Sequence, residues 1–357
     1  MLGRSFSYPE LAAATALDEG ALVDGLDELW RRRIIREVGG DGYDFSHDRI
    51  RDVAYGVISQ ARRRLLHRRA GEALQRVHAG KLGPMQARLG HHFAAAGEAL
   101  AAIEHYRQAA AVALDRYAHA EAADHLTAAM ALAESGSDAA VYPLLAERER
   151  VNRLARRMDA WEEDLVQLAQ LVGRLDDGSR DATLRQGQLA LARHHYASWV
   201  GHKEDSARHA ADAVRLARAV DHPPFTAEVM LCLGTDRWEE GRFDEAWTLL
   251  DEAYHTALKA DLPALAALCL DVQMQLLMFH GGSEARIREG LSRCTELYSK
   301  AQDESGKVRT LNKLLYLPIA QGRGDYREAL TYFEQALPIA QRIGDYAAEM
   351  LLERNAG

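Results

Sequence analysis

The stretch Gly241-Arg-Phe-Asp-Glu-Ala246 begins a run in which small or apolar residues recur in steps of four, three and four. The four members are Ala246, Leu250, Ala253 and Ala257. These steps place the side chains on one face of an α-helix, because the helix turns once every ~3.6 residues. A glycine just before such a run is typical of a turn between two helices. The stretch therefore predicts a helical hairpin whose second helix packs through a narrow apolar face.

Equivalent turn positions recur along the chain at successive intervals of 42, 42, 40, 41 and 42 residues. They are Tyr117, Asp159, Gly201, Gly241, Gly282 and Gly324. A comparable face starts five residues after each position. The weaker copies follow Tyr117, which is not a glycine, and Asp159, whose face starts with the charged Asp164. Such a period is typical of an array of helical repeats.

From about Met85 onward, the periodicity predicts paired helices and no strands. The pairs are 138–156 with 160–175, 181–199 with 203–219, 224–239 with 243–260, 263–280 with 284–300 and 304–321 with 325–342. Each pair leaves an apolar face that only its neighbour can cover, so we expect an all-α solenoid over residues 81–357. It would be a right-handed superhelix of about six hairpins. Because the sequence stops inside a further helix, we expect a truncated last repeat and a fragment of a longer protein.

The first 80 residues follow a different pattern. Residues 7–17 and 19–33 predict two helices. A β-hairpin is predicted next, with strands Ile34–Val38 and Tyr43–Phe45 around Gly39-Gly40-Asp41-Gly42. Helix, helix and hairpin is the order of a winged helix. We therefore predict a small winged-helix domain over residues 1–80, which includes the basic helix that follows the hairpin.

Two helices are predicted after this hairpin. Ser46 is expected to cap one that runs from about Asp48 to Ser59, because its hydroxyl can accept from the first turn. The next helix carries the arginines Arg62, Arg63, Arg64, Arg68 and Arg69. Its other face repeats the four-three-four step, so the arginines are expected to point to solvent, with a phosphate or partner contact as the alternative.

Composition excludes several classes of protein. The chain has 357 residues, 48% of them hydrophobic, and a net charge of -9, which disfavours a general nucleic-acid-binding face. No apolar stretch approaches the ~18 residues of a membrane span, and no signal peptide is recognisable, so we expect a cytoplasmic protein. The three cysteines have no paired spacing that would indicate a disulfide or a zinc site.

Catalytic motifs are also missing from the sequence. Ser46-His47-Asp48 contains the residue types of a catalytic triad, but adjacent side chains at a helix start diverge and cannot form its hydrogen-bond chain. His91-His92 and His194-His195 are adjacent pairs, whereas helices usually present metal ligands at i and i+4. No glycine-rich phosphate loop ends in Lys-Ser or Lys-Thr. We therefore predict no catalytic residue, no metal site, no cofactor and no enzymatic activity.

The concave face of such a solenoid is the expected binding surface. Counting back from each turn selects residues on one face of the first helix of each pair. The predicted partner-binding residues on this face are Arg153, Arg156, Arg157, His195, Trp199, Trp238, Phe279 and His280. Arginine and aromatic side chains suit an acidic peptide or a small anionic effector. The alternative is that Trp199, Trp238 and Phe279 only pack neighbouring repeats.

Two blocks, Gly241-Arg-Phe243-Asp-Glu-Ala246 and Gly324-Asp-Tyr326-Arg-Glu-Ala329, resemble the tetratricopeptide repeat. In that repeat, an aromatic residue followed three positions later by alanine opens the second helix. Leu233-Gly234 resembles its pair of large and small residues in the first helix. The period of about 41 exceeds the ~34 of the common form. It resembles the long repeats of large bacterial regulators, with HEAT-like pairs as an alternative.

The N-terminal part is similar to a segment of signal-transduction ATPases, including ATP-binding regulators of the LuxR type. Three stretches carry the likeness: Leu22 to Arg36, Tyr43 to Tyr55 and Ala61 to Arg69. The resemblance implies a winged-helix element between an upstream nucleotide-binding domain and tetratricopeptide repeats. It implies a non-catalytic sensing and coupling segment that binds a protein, peptide or small effector. The alternative is a free-standing tetratricopeptide scaffold that binds peptide partners.

Overall fold

A computed structural model describes residues 1–133, 137–320 and 326–356. Over these residues the chain forms eighteen α-helices, three short strands and one 3₁₀ turn. The helices divide between two compact units, Met1–Leu168 and Ala169–Gly357, each with its own internal contacts. The predicted all-α fold of helices that pack in consecutive pairs, preceded by a small sheet, is confirmed.

The first unit begins with a small sheet and two helices. The strands are β1 (Ser5–Ser7), β2 (Ile35–Glu37) and β3 (Gly42–Phe45), and the helices are α1 (Tyr8–Ala14) and α2 (Glu19–Arg31). The central strand β3 pairs antiparallel with both β1 and β2. The predicted order of helix, helix and hairpin is confirmed, and β1 is a strand that the sequence did not indicate.

The ends of two helices differ from the prediction. Residue 7 precedes α1 as its N-cap, because the Ser7 hydroxyl accepts from the Glu10 N–H at 3.3 Å and the Glu10 carboxylate accepts from the Ser7 N–H at 3.1 Å. The prediction that Ser46 caps the next helix is wrong. Helix α3 (Asp48–Gly56) follows His47, and the Ser46 backbone N–H donates instead to the Ile34 carbonyl at 2.9 Å.

The basic helix is α4 (Gln60–Val77), and it packs against α1. Four of its arginines point to solvent as predicted: Arg62, Arg64, Arg68 and Arg69. Arg63 is half-buried, because its guanidinium stacks on the Tyr55 ring at 4.4 Å and donates to the Gly56 carbonyl at 2.8 Å. Between the arginines, His67 is buried against the rest of the unit.

The remaining helices of the first unit pack in sequence order. They are α5 (Gln86–Ala96), α6 (Ala99–Asp115), α7 (His119–Ala133), α8 (Asp138–Leu154) and the start of α9 (Met158–Arg174). A 3₁₀ turn, Gly83–Met85, precedes them. Helix α4 packs against α5, so packing continues across residue 80. The assignment of residues 1–80 to a separate winged-helix domain and of 81–357 to the repeats stays a prediction.

The second unit consists of helical pairs joined by short turns. Its helices after α9 are α10 (Arg180–Trp199), α11 (Lys203–Val220), α12 (Pro223–Glu239), α13 (Phe243–Lys259), α14 (Pro263–Phe279), α15 (Glu284–Lys300), α16 (Glu304–Ala320), α17 (Tyr326–Ile343) and α18 (Tyr346–Ala356). The strongest packing is within the pairs α10 with α11, α12 with α13, α14 with α15 and α16 with α17. These are four of the five predicted pairs, although predicted residues 321 and 325 lie outside the described residues.

The repeated apolar face is buried where the sequence places it. Ala246, Leu250, Ala253 and Ala257 of α13 have no exposed surface. Opposite them, Gly234 of α12 permits close approach, because a Cβ at this position would lie 2.8 Å from Leu250 Cγ. This explains the small residue in the Leu233-Gly234 pair, and it shows that the first helix of the hairpin contributes a groove to the contact.

The turns agree with most of the predicted positions. Gly201 and Gly241 adopt left-handed conformations with φ of 81° and 76°, and Tyr117 has φ of 58°. The prediction fails by one residue at Gly282, because the left-handed residue is Gly281. Asp159 lies inside α9, and the turn before it is made by Arg156 at φ 53°. Gly324 lies outside the described residues.

In the described part of the chain, we find no helix that is both long enough and apolar enough to cross a membrane.

Candidate partner-binding surface

An aromatic cluster lies at the ends of α12, α13 and α14 in the second unit. We use this name for Trp238, Phe243, Phe279 and His280. The Trp238 and Phe279 ring centroids are 6.0 Å apart, and those of Phe243 and His280 are 3.6 Å apart. The Trp238 indole N–H donates to His280 Nε2 at 3.1 Å, which holds the two turns together. Three of the residues predicted to bind a partner are therefore in mutual contact.

Helix ends and turns position these rings. Trp238 precedes the turn at Gly241, and Phe243 is the first residue of α13 after it. Phe279 is the last residue of α14, and His280 follows it. Because Gly241 reverses the chain in a conformation that glycine adopts easily, Trp238 and Phe243 lie on adjacent sides of one turn. The cluster is therefore built by the repeat geometry itself.

Much of the aromatic cluster is exposed. Phe279 is 76% exposed and Phe243 is 38% exposed, whereas Trp238 is half-buried. Single exposed hydrophobic residues are common on proteins, but contiguous ones indicate an interaction surface. An aromatic ring offers a large apolar area with few rotatable bonds, so it is well suited to anchor a partner.

His195 and Trp199 lie on α10. Trp199 ends the helix and is 51% exposed. One turn earlier, His195 Nδ1 is 3.7 Å from Cys232 Sγ on α12. The side chain of His195 therefore faces a thiol in the described structure. Sequence periodicity does not predict this contact, because 37 residues separate the two positions.

The three predicted arginines belong to the first unit. Arg153 is three-quarters buried, with Nε 3.7 Å from the buried Glu149 carboxylate. Arg156 is exposed and forms the left-handed turn after α8, and the backbone N–H of Arg157 donates to the Asn152 carbonyl at 3.0 Å. Arg156 and Arg157 are the more accessible cations of the three. A binding role for this group stays a prediction.

A cavity of about 1020 Å³ lies among α10, α11 and α12 in the second unit. Small side chains, including Ala207, Ala210 and Ala211, line it on α11. Charged groups of both signs surround them: Lys203, Arg215, Arg218, Arg237, Asp236, Glu239 and Glu240. The lining of the cavity therefore carries both positive and negative charges.

His194 and Asp236 line one end of this cavity. The buried His194 has Nδ1 3.0 Å from both the carbonyl and the hydroxyl oxygen of Ser206, and its Nε2 is 2.8 Å from Asp236 Oδ2. Burial opposes protonation of His194, but the Asp236 carboxylate outweighs it, so the pKa of His194 is raised. The adjacent histidines thus have different surroundings: His194 lies in a polar network, and His195 lies beside the Cys232 thiol.

Comparisons with known proteins bear on the fold alone. No family model and no curated protein sequence matches the chain. Among solved structures, the chain is similar to a Rap protein complexed with competence and sporulation factor. The identity is 13%, the match covers 87% of this chain and 89% of that protein, and the TM-score is 0.54. The chain has a tetratricopeptide-like fold.

Two further structures are similar at lower TM-scores. One is a signal transduction ATPase with numerous domains from Pyrococcus horikoshii that has a tetratricopeptide repeat sensor. It is 13% identical over 98% of this chain and 57% of that protein, with a TM-score of 0.49. The other is the apo form of the quorum sensor NprR from B. thuringiensis. It is 11% identical over 90% of this chain and 99% of that protein, with a TM-score of 0.40. The chain spans little more than half the length of the ATPase.

Proposed function

We propose that the chain is a non-catalytic, protein-binding helical-repeat segment that holds a peptide of a partner protein at the aromatic cluster. The observation that carries this proposal is the exposed, contiguous surface of Phe279, Phe243 and Trp238. A role in packing alone would bury these rings, as it does Ala246 and Leu250 on the adjacent helix.

The chemistry of the aromatic cluster suits an apolar side chain flanked by polar backbone. The ring faces supply apolar area, and the Trp238 to His280 hydrogen bond fixes two of them before any partner arrives. A preformed surface costs less conformational entropy on binding than a mobile one. The similarly folded Rap protein has been solved in complex with competence and sporulation factor, which supports the view that this fold can hold a partner.

Alanine at Phe279 or Trp238 is expected to weaken peptide capture at least tenfold, because aromatic anchors contribute roughly 2–4 kcal/mol when truncated. The measurement is titration calorimetry with peptides selected from a random displayed library on the unaltered chain. Trp30→Ala removes an aromatic ring of the first unit that is also half-exposed, and serves as the matched control. We expect it to leave affinity unchanged.

Unchanged affinity in Phe279→Ala and Trp238→Ala would contradict the assignment of the site. A large fall in melting temperature for Phe279→Ala would place that ring in packing. Both results are distinguishable from loss of binding with the fold retained, which circular dichroism reports.

In its wider context, we infer that the segment is the cytoplasmic sensing and coupling arm of an ATP-dependent signal-transduction or transcriptional regulator. The inference rests on the resemblance of Leu22–Arg36, Tyr43–Tyr55 and Ala61–Arg69 to such proteins. A partner on the repeats would alter how the N-terminal element docks on an upstream nucleotide-binding domain, and so shift an equilibrium between inactive and active states. Coupling of this kind is reciprocal, so the nucleotide state would change partner affinity.

The regulator context predicts that the native gene product is well over twice the 39.6 kDa of this chain. Immunoblotting of source-cell lysate with an antibody to residues 1–357 measures this directly. A product near 40 kDa would instead favour a free-standing scaffold, and it would leave the peptide-binding proposal intact.

A further inference from the structure

Two helices of the second unit bring three potential metal ligands together. His194 and His195 lie on α10, and Cys232 lies on α12. One ring nitrogen of each histidine and the cysteine sulfur all lie within 4.8 Å of one another. The spacing of His194 and His195 in the sequence does not predict a metal site, because an adjacent pair alone lacks a third ligand. The helix packing supplies the third group.

His194 is held in the orientation that metal-binding histidines commonly have. Its Nδ1 lies 3.0 Å from the Ser206 carbonyl oxygen, so a proton on Nδ1 can be donated to that oxygen. In the neutral ring the lone pair is then on Nε2, where zinc would displace the second proton that the Asp236 carboxylate favours. In the described part of the chain, Nε2 is buried and makes no hydrogen bond of good geometry, although Asp236 Oδ2 is 2.8 Å away. A backbone carbonyl that fixes the tautomer is a frequent outer partner of a ligating imidazole.

The distances and donor atoms favour zinc. Donor atoms around a tetrahedral zinc ion are roughly 3.5 Å apart, given Zn–S and Zn–N bonds of about 2.3 Å and 2.0 Å. His195 Nδ1 and Cys232 Sγ are already 3.7 Å apart. Two imidazoles and a thiolate are ligands that zinc takes readily, whereas magnesium and calcium require oxygen. The Asp236 carboxylate and the Cys232 thiolate together balance the charge of a divalent ion.

We propose that His194, His195 and Cys232 bind one zinc ion, with the Asp236 carboxylate beside it. On binding, the Cys232 thiol and a protonated His194 Nε2 release their protons to solvent as the zinc–sulfur and zinc–nitrogen bonds form. The ion would join α10 to α12 at the end of the cavity that these helices line. The proposal is independent of peptide binding at the aromatic cluster.

The test is the reaction of Cys232 with an aromatic disulfide reagent in the native chain, with and without zinc chloride. Cys232 is partly exposed, whereas Cys269 and Cys294 are fully buried, and burial raises the pKa of Cys269 to about 12. The native protein should therefore present one reactive thiol. We expect zinc to slow its labelling at least tenfold, and a chelator to restore the rate. Metal analysis should give one zinc ion per chain.

The variant His195→Ala keeps the thiol but removes a ligand, so zinc should no longer protect Cys232. The matched control is His255→Ala, an exposed histidine on α13, in which protection should persist. Cys232→Ser should lose the bound zinc while circular dichroism shows retained helix. The proposal is overturned if zinc leaves labelling of the unaltered chain unchanged, or protects His195→Ala equally well.

Discussion

Replacement of Asp164 by alanine is expected to destabilise the first unit by about 3–5 kcal/mol, the typical cost of breaking a buried ion pair. Asp164 is buried on α9, and its carboxylate accepts from the Arg148 guanidinium at 2.6 Å and 3.1 Å and from the Asn152 amide at 2.7 Å. The Arg148 side chain is itself only 15% exposed. Alanine would leave this guanidinium buried without its anion.

Urea unfolding followed by circular dichroism measures the effect. Asp159→Ala removes an exposed carboxylate from the same helix, and it should change stability by no more than about 0.5 kcal/mol. The double variant Asp164→Leu with Arg148→Met removes both charges, and it should recover much of the loss because no ion remains unpaired. A loss equal to that of Asp159→Ala would show that the ion pair contributes nothing to folding.

Asp164 also shows where sequence periodicity reaches its limit. The residue occupies the first position of a repeated apolar face, and the pattern marks that copy as weak because of the charge. In the structure it is as buried as the alanines and leucines at equivalent positions. Its partners, Arg148 and Asn152, precede it by 16 and 12 residues on another helix. The charge of Asp164 at an apolar position therefore indicates a buried polar network. The periodicity does not identify its other members, Arg148 and Asn152.

The helical pairs could be predicted because each depends on local information. A four-three-four step needs only about twelve residues to place one face of a helix, and this holds for Ala246 to Ala257. Helix ends were less certain because several residues can satisfy the same free N–H groups. Ser7 makes a capping box, whereas Ser46 follows β3 and its backbone N–H donates to the Ile34 carbonyl.

The candidate site was predictable only in part. Trp238, Phe279 and His280 were selected by their distance from a turn, and the constant repeat length brings them together. Phe243 matches a repeat motif in the sequence and is not among the predicted binding residues, yet its ring lies against His280. The contact of His195 with Cys232 depends on which faces of α10 and α12 meet. That information lies in tertiary packing, which a linear pattern does not contain.

Lowering the pH from 6.5 to about 4 is expected to destabilise the first unit through a buried pair of histidines, His67 and His92. Their Nδ1 atoms are 3.0 Å apart, and the Tyr55 hydroxyl lies 3.1 Å from His67 Nε2. Burial, with the nearby His91, lowers the pKa of His67 to about 4. Burial and the proximity of His67 and His91 lower the pKa of His92 to about 3.

Acid lowers the stability of the first unit because the unfolded chain binds protons more readily than the folded one. In the unfolded chain both imidazoles protonate near their usual pKa of about 6.5, whereas the folded unit keeps them neutral until the pH is about 4 or lower. Below pH 6.5 the unfolded state therefore binds more protons than the folded state. As the pH is lowered, the free energy of unfolding falls by up to about 1.4 kcal/mol per pH unit for each histidine. Once the folded state is also protonated, this contribution levels off.

His92→Asn tests the assignment, because its side-chain amide can replace Nδ1 in the contact with His67 but does not titrate. We expect its free energy of unfolding, measured in urea at several pH values between 6.5 and 5, to fall less steeply than that of the unaltered chain, by up to about 1.4 kcal/mol per pH unit. Carboxylates such as Glu10 and Asp44, whose pKa values are lowered, add their own acid sensitivity only below this range. The exposed His255→Gln should retain the full slope. Equal slopes in His92→Asn and the unaltered chain would show that the acid sensitivity arises elsewhere, for example at His105, whose pKa is also lowered by burial, because the substitution removes the His92 imidazole while preserving the packing around His67.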